Sequence, residues 1–268
     1  MTATAAVGGR FGAQARKGGS AWDLLLAITL RDLRIKYHGT VLSYFWWLAR
    51  PLTMGIILYF ALDRVLKFGV PHPAVFLLSA LFPWFWFQGA LHASTQAFIA
   101  NNGLVKKVRF PRIILPLSVV LGATFEFVAT LPVLVLLVAV SAVEPSWTWL
   151  VGIPLLIALQ LALLAGLGVL VAAVNVFFRD LAPALDSGMT LLFYATPIIY
   201  PLSRVPDGMR QLLQVNPMTP LIEAWRGLFL DGEMPGLDLW PAVVFAAVAI
   251  ASGLFVLDRA DTSLADAL

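Results

Sequence analysis

The sequence of 268 residues contains no cysteine, and only 12% of its residues are charged. The lack of cysteine excludes a disulfide framework, an iron–sulfur cluster and a thiolate zinc site. A soluble domain carries roughly 25% charged residues, so this chain has too little polar surface to cover a water-soluble globule. Hydrophobic residues make up 60% of the sequence, and its mean hydropathy is +0.87. An integral membrane protein is therefore expected.

Motifs of nucleotide binding and hydrolysis are absent as well. The sequence contains no G-x-x-x-x-G-K-[ST], H-E-x-x-H or G-x-S-x-G segment. Its three histidines, His38, His72 and His92, lie 34 and 20 residues apart, which argues against a shared metal site. We therefore expect no metal or cofactor bound by this chain, and no enzymatic activity of its own.

Apolar runs recur at lengths suited to membrane-crossing helices. A helix of about 20 residues crosses a hydrocarbon core of about 30 Å. Runs of that order lie at residues 42–62, 74–98, 115–140, 149–174 and 239–257. A sixth run, 187–203, is shorter and contains Pro197 and Pro201, so it either crosses with a kink or enters only part-way. The expected fold is all-α, with about six transmembrane helices in a single membrane domain at 21–268.

The segments outside these runs complete the topology. Residues 1–20 are rich in glycine and alanine and predict a flexible tail, without the apolar region of a signal peptide. Helical spacing of leucines after Ser20 predicts an amphipathic interfacial helix. After Thr219-Pro220, a second such helix is predicted at the outer interface, with Glu223 and Arg226 off its apolar face and the following residues on it: Leu221, Ile222, Trp225, Leu228 and Phe229.

The distribution of basic residues sets the orientation of the six-span topology. Thirteen of the 18 lysine and arginine residues fall on the side of the N-terminus, and five fall on the other side. Because basic residues accumulate in cytoplasmic loops, both termini are expected to be cytoplasmic. If the short run is only re-entrant, the C-terminus changes side, but the basic N-terminal region and the loop at 101–114 stay inside.

Glu126 is the one carboxylate deep inside a predicted span. Placing a charge there costs on the order of 3 kcal/mol by insertion scales. We therefore expect Glu126 to face protein or water and to have a partner. Glu126 could be a hydrogen-bonding residue that supports helix packing or faces a channel. Alternatively, it could carry protons.

Several blocks of the sequence resemble one family of membrane proteins. The longer ones are RDLRIKY at 31–37, VLSYFWWLARPL at 41–52, LFPWFWF at 81–87 and NNGLVKKVRFPRIILPLS at 101–118. Shorter pieces are FRDL at 178–181, TPIIYP at 196–201 and NP at 216–217. Over about residues 22–230 the chain resembles the integral membrane subunits of ABC-type polysaccharide exporters, which move O-antigen, teichoic acid and capsule chains. Arg50 departs from the family pattern, in which a neutral polar residue precedes the proline.

The resemblance implies the partners. It implies a homodimer of permease subunits with two copies of an ABC ATPase subunit, forming a channel for a lipid-linked polysaccharide in the bacterial inner membrane. ATP with Mg²⁺ would be bound by the ATPase subunit. The chain would otherwise contact membrane lipids, and no nucleic acid partner is expected.

The resemblance also suggests how the ATPase would act on this chain. The elements at 22–36, 101–112 and 178–186 are the candidates for receiving its motion. Their ATPase-coupling residues are Arg31, Asp32, Arg34, Lys106, Lys107, Arg109, Arg112, Arg179 and Asp180. For the basic ones, ordinary anchoring to anionic lipid is the alternative.

Aromatic residues are numerous near the ends of the predicted spans, as in any aromatic belt. Some could instead face a channel, because the negative faces of aromatic rings attract polarised C–H groups of sugars. With Glu126, the channel or substrate candidates are Tyr37, Trp84, Trp86, Phe193, Tyr194 and Tyr200. Small residues around Gly166 and Gly168 suit close helix contact, either within one subunit or at a dimer seam.

Two rival functions remain at the level of sequence. An ABC-type exporter of drugs or small lipids has a similar topology. An ATP-independent secondary transporter would use Glu126 as its proton site.

Overall fold

The computed structural model describes residues 20–37, 41–65, 67, 69–107, 110–141 and 143–267, without the side chains of 41–47, 107, 261–263 and 265–267. Regular structure in these ranges is helical throughout. The first helices are α1 (Ala21–Tyr37), α2 (Val41–Tyr59, continued by a π-helical segment at Phe60–Val65), α3 (Pro73–Thr95), α4 (Ala97–Ala100), α5 (Asn102–Lys107) and α6 (Ile114–Val128). There follow α7 (Leu131–Val140), α8 (Trp149–Phe177), α9 (Leu181–Tyr194), α10 (Asp207–Gln214), α11 (Met218–Leu230) and α12 (Trp240–Ala267).

Four helical stretches in the described ranges are long and apolar enough to cross a membrane: Pro73–Thr95, Ile114–Val140, Trp149–Phe177 and Leu237–Ala260. They correspond to four of the predicted spans, and the second combines α6 and α7. The predicted span at 42–62 is helical as α2, although its crossing stays a prediction. At 187–203 the helix ends at Tyr194. Its 14 residues extend about 21 Å, so α9 alone is too short to cross. Val176 near the end of α8 and Leu264 near the end of α12 belong to one hydrophobic core, so the chain between these two helices passes from one end of the bundle to the other.

The longest helices form the closest pair of the bundle. α8 and α12 approach each other at Gly166 and Gly253, where a Cβ atom on Gly253 would lie 2.6 Å from the carbonyl oxygen of Gly166. Glycine lets the two backbones come this close because it has no side chain. The small residues at this position therefore pack within one subunit.

The bundle has two hydrophobic cores. The larger one joins α3, α6, α7, α8, α9, α11 and α12 around the fully buried Trp84 and Trp225. The second joins α1, α4, α5, α6, α8 and α12 through Ile28, Phe98 and Leu264. We call its position the α4 end of the bundle, where α3 and α8 end and α6 begins. A hydrogen bond of 2.8 Å from Asn175 Nδ2 to the Thr95 carbonyl oxygen joins α8 to α3 at this end.

The predicted apolar face of α11 is buried against α3 and α8. The location of this helix at the outer interface stays a prediction. Trp225 donates from Nε1 to Gln160 Oε1 on α8 at 3.1 Å. Gln160 in turn donates to the Pro83 carbonyl oxygen on α3 at 2.8 Å. Arg226, expected off the buried face, is only 6% exposed, so that expectation is wrong.

Candidate functional site

Arg31, a predicted coupling residue on α1, contacts the start of the predicted coupling element at 101–112 at the α4 end. Arg31 on α1 donates from Nη2 to Asn101 Oδ1 at 2.9 Å, between α4 and α5. The same guanidinium contacts the carboxylate of Asp32 at 2.7 Å. The second hydrophobic core lies beneath these contacts and connects α1, α4 and α5 to the end of α8. Packed side chains therefore connect α1 to the long helices.

The remaining coupling candidates have different surroundings. Arg34 and Lys106 are exposed, and Arg112 is half-buried at the start of α6. Arg179 and Asp180 are exposed directly after α8. Lys107 ends α5, but its side chain is not described, and Arg109 lies outside the described residues.

Glu126 has the partner expected for a carboxylate within a span. Its Oε1 accepts from Lys36 Nζ at 2.6 Å and from the Tyr37 hydroxyl at 2.7 Å. The Glu126 side chain is 13% exposed, whereas that of Lys36 is 55% exposed. The end of α1 is thus held against α6 by a partly shielded ion pair.

This ion pair lines a cavity of about 340 Å³ between α1, α2, α3 and α6. Trp86 forms part of the wall and stacks on Phe127, with ring centroids 4.4 Å apart and planes at 12°. Of the channel candidates, Trp86 and Glu126 therefore line one cavity, and Tyr37 is joined to it through its hydrogen bond to Glu126. Trp86 is buried, and Phe127 covers one face of its indole.

A second cavity, an open groove of about 550 Å³, lies between α2, α3 and α9. We call it the aromatic groove, and its rings are Trp84, Phe85, Phe193 and Tyr194. Trp84 and Phe193 contact edge to face, with centroids 5.7 Å apart. Tyr194 is 60% exposed and presents its ring to the open side. Three of the aromatic channel candidates, Trp84, Phe193 and Tyr194, thus line one groove. Trp84 and Phe193 are buried, so Tyr194 is the one of the three whose ring is exposed.

Tyr200 lies apart from both cavities. Its hydroxyl donates to the Tyr194 carbonyl oxygen at 3.0 Å, so it supports the turn after α9. The prediction that Tyr200 faces the channel has no support in this position.

Arg226 is a residue whose role sequence reasoning missed. Its guanidinium donates to Glu223 Oε1 at 2.6 Å and to the carbonyl oxygens of Pro197 and Ile198 at 2.8 and 3.0 Å. It lies 3.6 Å from the ring centroid of Phe76. Burial lowers the pKa of Arg226 to about 10 against the opposing effect of Glu223, so the side chain stays protonated at neutral pH. Burial also raises the pKa of Glu223, and Arg226 opposes that rise.

These contacts make Arg226 a link between α3, α11 and the turn after α9. The sequence contains a signal for it, since Glu223 and Arg226 are three residues apart and face each other on a helix. The missing information was which side of α11 is covered by protein.

In the described part of the chain, no group of three or more histidine and acidic side chains could hold a metal ion. The two cavities present groups suited to binding, namely aromatic side chains, hydroxyl and amide groups, and the cations Lys36 and Arg50.

Comparisons with known proteins agree with this architecture. Over 216 residues, the chain is 38% identical to the O-antigen export system permease protein RfbA of Klebsiella pneumoniae, covering 81% of this chain and 83% of that protein. It is 31% identical over 229 residues to RfbA of Myxococcus xanthus, covering 85% and 87%. The polysialic acid transport protein KpsM of Escherichia coli is 26% identical over 231 residues, covering 85% and 90%. Residues 23–230 match the family model described as ABC-2 type transporter, and the chain belongs to this family of membrane proteins.

Proposed function

We propose that this chain is the permease subunit of an ABC transporter that exports a lipid-linked polysaccharide, such as an O-antigen, across the bacterial inner membrane. The observation that supports this proposal most strongly is that the chain is 38% identical to an O-antigen export permease over most of both chains. The aromatic groove supports the substrate class, because ring faces give weak, repeated contacts to sugar C–H groups. A polymer can slide along such contacts without being trapped.

The energy source in this proposal is a separate ATPase subunit, which binds ATP with Mg²⁺. The sequence has no phosphate-binding loop of its own. Two permease chains would pair as a homodimer and bind two ATPase subunits at the α4 end, with both termini of each chain in the cytoplasm. The concentration of basic residues near this end fits the cytoplasmic side of a membrane.

The coupling step would begin at α1 and the segment from α4 to α5. ATP-driven closure of the ATPase pair would displace these elements, which share a hydrophobic core with α6, α8 and α12. The displacement would then open the path along the aromatic groove. Arg31, Asp32, Arg34, Lys106, Lys107, Arg109, Arg112, Arg179 and Asp180 are the residues proposed for this contact.

Depletion of the protein in its host tests the function and identifies the cargo. We expect one defined lipid-linked polymer to accumulate on the cytoplasmic face while the same polymer disappears from the cell surface. Mass spectrometry of membrane lipids measures the first quantity, and surface glycan staining measures the second. Intact surface glycans without accumulation would overturn the proposal and favour a small-molecule exporter. Transport by the purified chain alone, driven by a proton gradient, would favour the secondary transporter.

Arg31→Glu tests the coupling step. Reversing this charge removes the donor to Asn101 and brings two negative groups together at Arg31 and Asp32. We expect export per ATP hydrolysed to fall at least tenfold in the reconstituted complex while ATP hydrolysis continues. Asn101→Ala, which removes only the acceptor, should give a smaller loss in the same direction.

Arg64→Glu is the matched control for this charge reversal. Arg64 is 69% exposed and lies on the π-helical segment, distant in sequence from the coupling elements. Its reversal should leave the transport ratio unchanged. An unchanged ratio in Arg31→Glu, with normal amounts of complex in the membrane, would remove Arg31 from the coupling surface.

A further inference from the structure

Arg50 is a cation in an unusual place. It lies near the middle of α2, directly before Pro51, and within the predicted span at 42–62. Its side chain lines both the cavity beside Glu126 and the aromatic groove. The guanidinium carbon is 5.5 Å from the ring centroid of Phe85, which lines both spaces as well. Arg50 therefore stands where the two cavities meet.

The two carboxylates that line the cavity beside Arg50, Asp32 and Glu126, have other partners. Glu126 is paired with Lys36 at 2.6 Å, and Asp32 is paired with Arg31 at 2.7 Å. The aromatic groove has no acidic side chain among its described lining residues. Within the described ranges, no ion pair to Arg50 is formed. The groove consequently carries a positive charge that the surrounding protein does not neutralise.

A charged side chain within a membrane span is costly and marks a functional position when no protein group neutralises it. The guanidinium is a planar fork of five N–H donors that fits phosphate and carboxylate oxygens two at a time. Beside it the groove has the amide of Gln88, the hydroxyl of Thr190 and the exposed ring of Tyr194. This combination suits a molecule that carries both sugar rings and an oxyanion.

We infer that Arg50 binds an oxyanion of the transported molecule, either a phosphate of its lipid link or a carboxylate of an acidic sugar. The inference rests on the proposed function and adds a specificity-determining residue to it. The exposed ring of Tyr194 would hold a neutral sugar face, and Arg50 would hold the charged group at the junction of the two cavities. Phe85 keeps the guanidinium in place through its ring face.

Binding to the purified complex with its ATPase tests this role. The complex is placed in nanodiscs of zwitterionic lipid and titrated with three probes, followed by tryptophan fluorescence. The probes are a polyprenyl diphosphate without sugar, an oligosaccharide containing glucuronic acid, and a neutral oligosaccharide of equal length. We expect Arg50→Gln to weaken binding of one of the anionic probes at least tenfold and to leave the neutral probe unchanged.

The probe that is affected identifies the source of the oxyanion. Loss of diphosphate binding assigns Arg50 to the lipid link, and loss of glucuronate binding assigns it to an acidic sugar. Arg50→Lys keeps the charge but lacks the planar fork of N–H donors. Its affinity for the anionic probe should lie between those of the wild type and Arg50→Gln. Arg64→Gln, at an exposed cation that lines neither cavity, should bind all probes as the wild type does.

The inference is overturned if Arg50→Gln binds both anionic probes with wild-type affinity, or if the wild type binds neither. Complementation of a deletion strain separates this failure from failure of the proposed function. Full surface glycan with Arg50→Gln but none without the gene would reject only the inference. Surface glycan that persists without the gene would reject the function itself.

Discussion

Replacing Gly166 with alanine should separate α8 from α12 and lower the free energy of unfolding by about 2 kcal/mol, within the range for overpacked cores. A Cβ atom at this position would collide with backbone atoms of Ala249 and Ile250 on α12. Backbone cannot rotate away as the end of a side chain can, so the helices themselves must move apart. We expect the apparent melting temperature in detergent to fall by roughly 4–8 °C. Size-exclusion chromatography after heating measures it.

Gly188→Ala is the control for this substitution. A Cβ atom at Gly188 on α9 would meet no other atom within 4 Å. Alanine also favours a helix over glycine by roughly 0.5–1 kcal/mol, so the control should melt at or slightly above the wild-type temperature. If Gly166→Ala instead melted at the wild-type temperature, the close approach of α8 to α12 would not limit the stability of the subunit.

The membrane-crossing helices could be predicted from the sequence because partition into lipid depends on local composition. About 20 apolar residues in a row suffice for a span, whatever the rest of the chain does. Four predicted spans accordingly reappear as long apolar helices. α9 was harder to place, because Pro197 and Pro201 indicate that the helix breaks but do not show how far the segment enters the membrane.

Pairings between distant elements could not be predicted in the same way. A partner for Glu126 could be expected because a charged carboxylate within a membrane span costs free energy. The identity of the partner could not be predicted, because Lys36 lies 90 residues earlier in the chain. Trp84 and Phe193 were equally compatible with an aromatic belt until α3 and α9 were seen side by side. The periodicity of α11 showed an apolar face but could not show that protein also covers Arg226.

Replacing Arg226 with methionine should destabilise the protein by about 3 kcal/mol, as expected when a buried ion pair loses one partner. Methionine keeps part of the side-chain volume but cannot donate to the carbonyl oxygens of Pro197 and Ile198. It also leaves Glu223 without the cation that stabilises its charge. The apparent melting temperature should fall by roughly 6–12 °C.

Two further variants show which contact of Arg226 matters most. Glu223→Gln keeps the guanidinium and its bonds to the turn after α9, so it should cost only about 1 kcal/mol, the size of one hydrogen bond. Arg226→Lys keeps the charge but loses the planar fork of N–H donors. Its loss of stability should lie between those of Arg226→Met and Glu223→Gln. Arg64→Met removes a mostly exposed cation that is 3.6 Å from Asp63 and should change stability little.

The double variant Arg226→Met with Glu223→Gln decides whether the two side chains act as one unit. Once Arg226 is absent, the uncharged glutamine no longer leaves a buried carboxylate without its cation. The double variant should therefore be more stable than the sum of the single effects predicts, with a coupling of about 1–2 kcal/mol. Strict additivity would mean that Arg226 stabilises the fold through the two carbonyl oxygens and Phe76 alone, because the ion pair would then contribute nothing that depends on both partners.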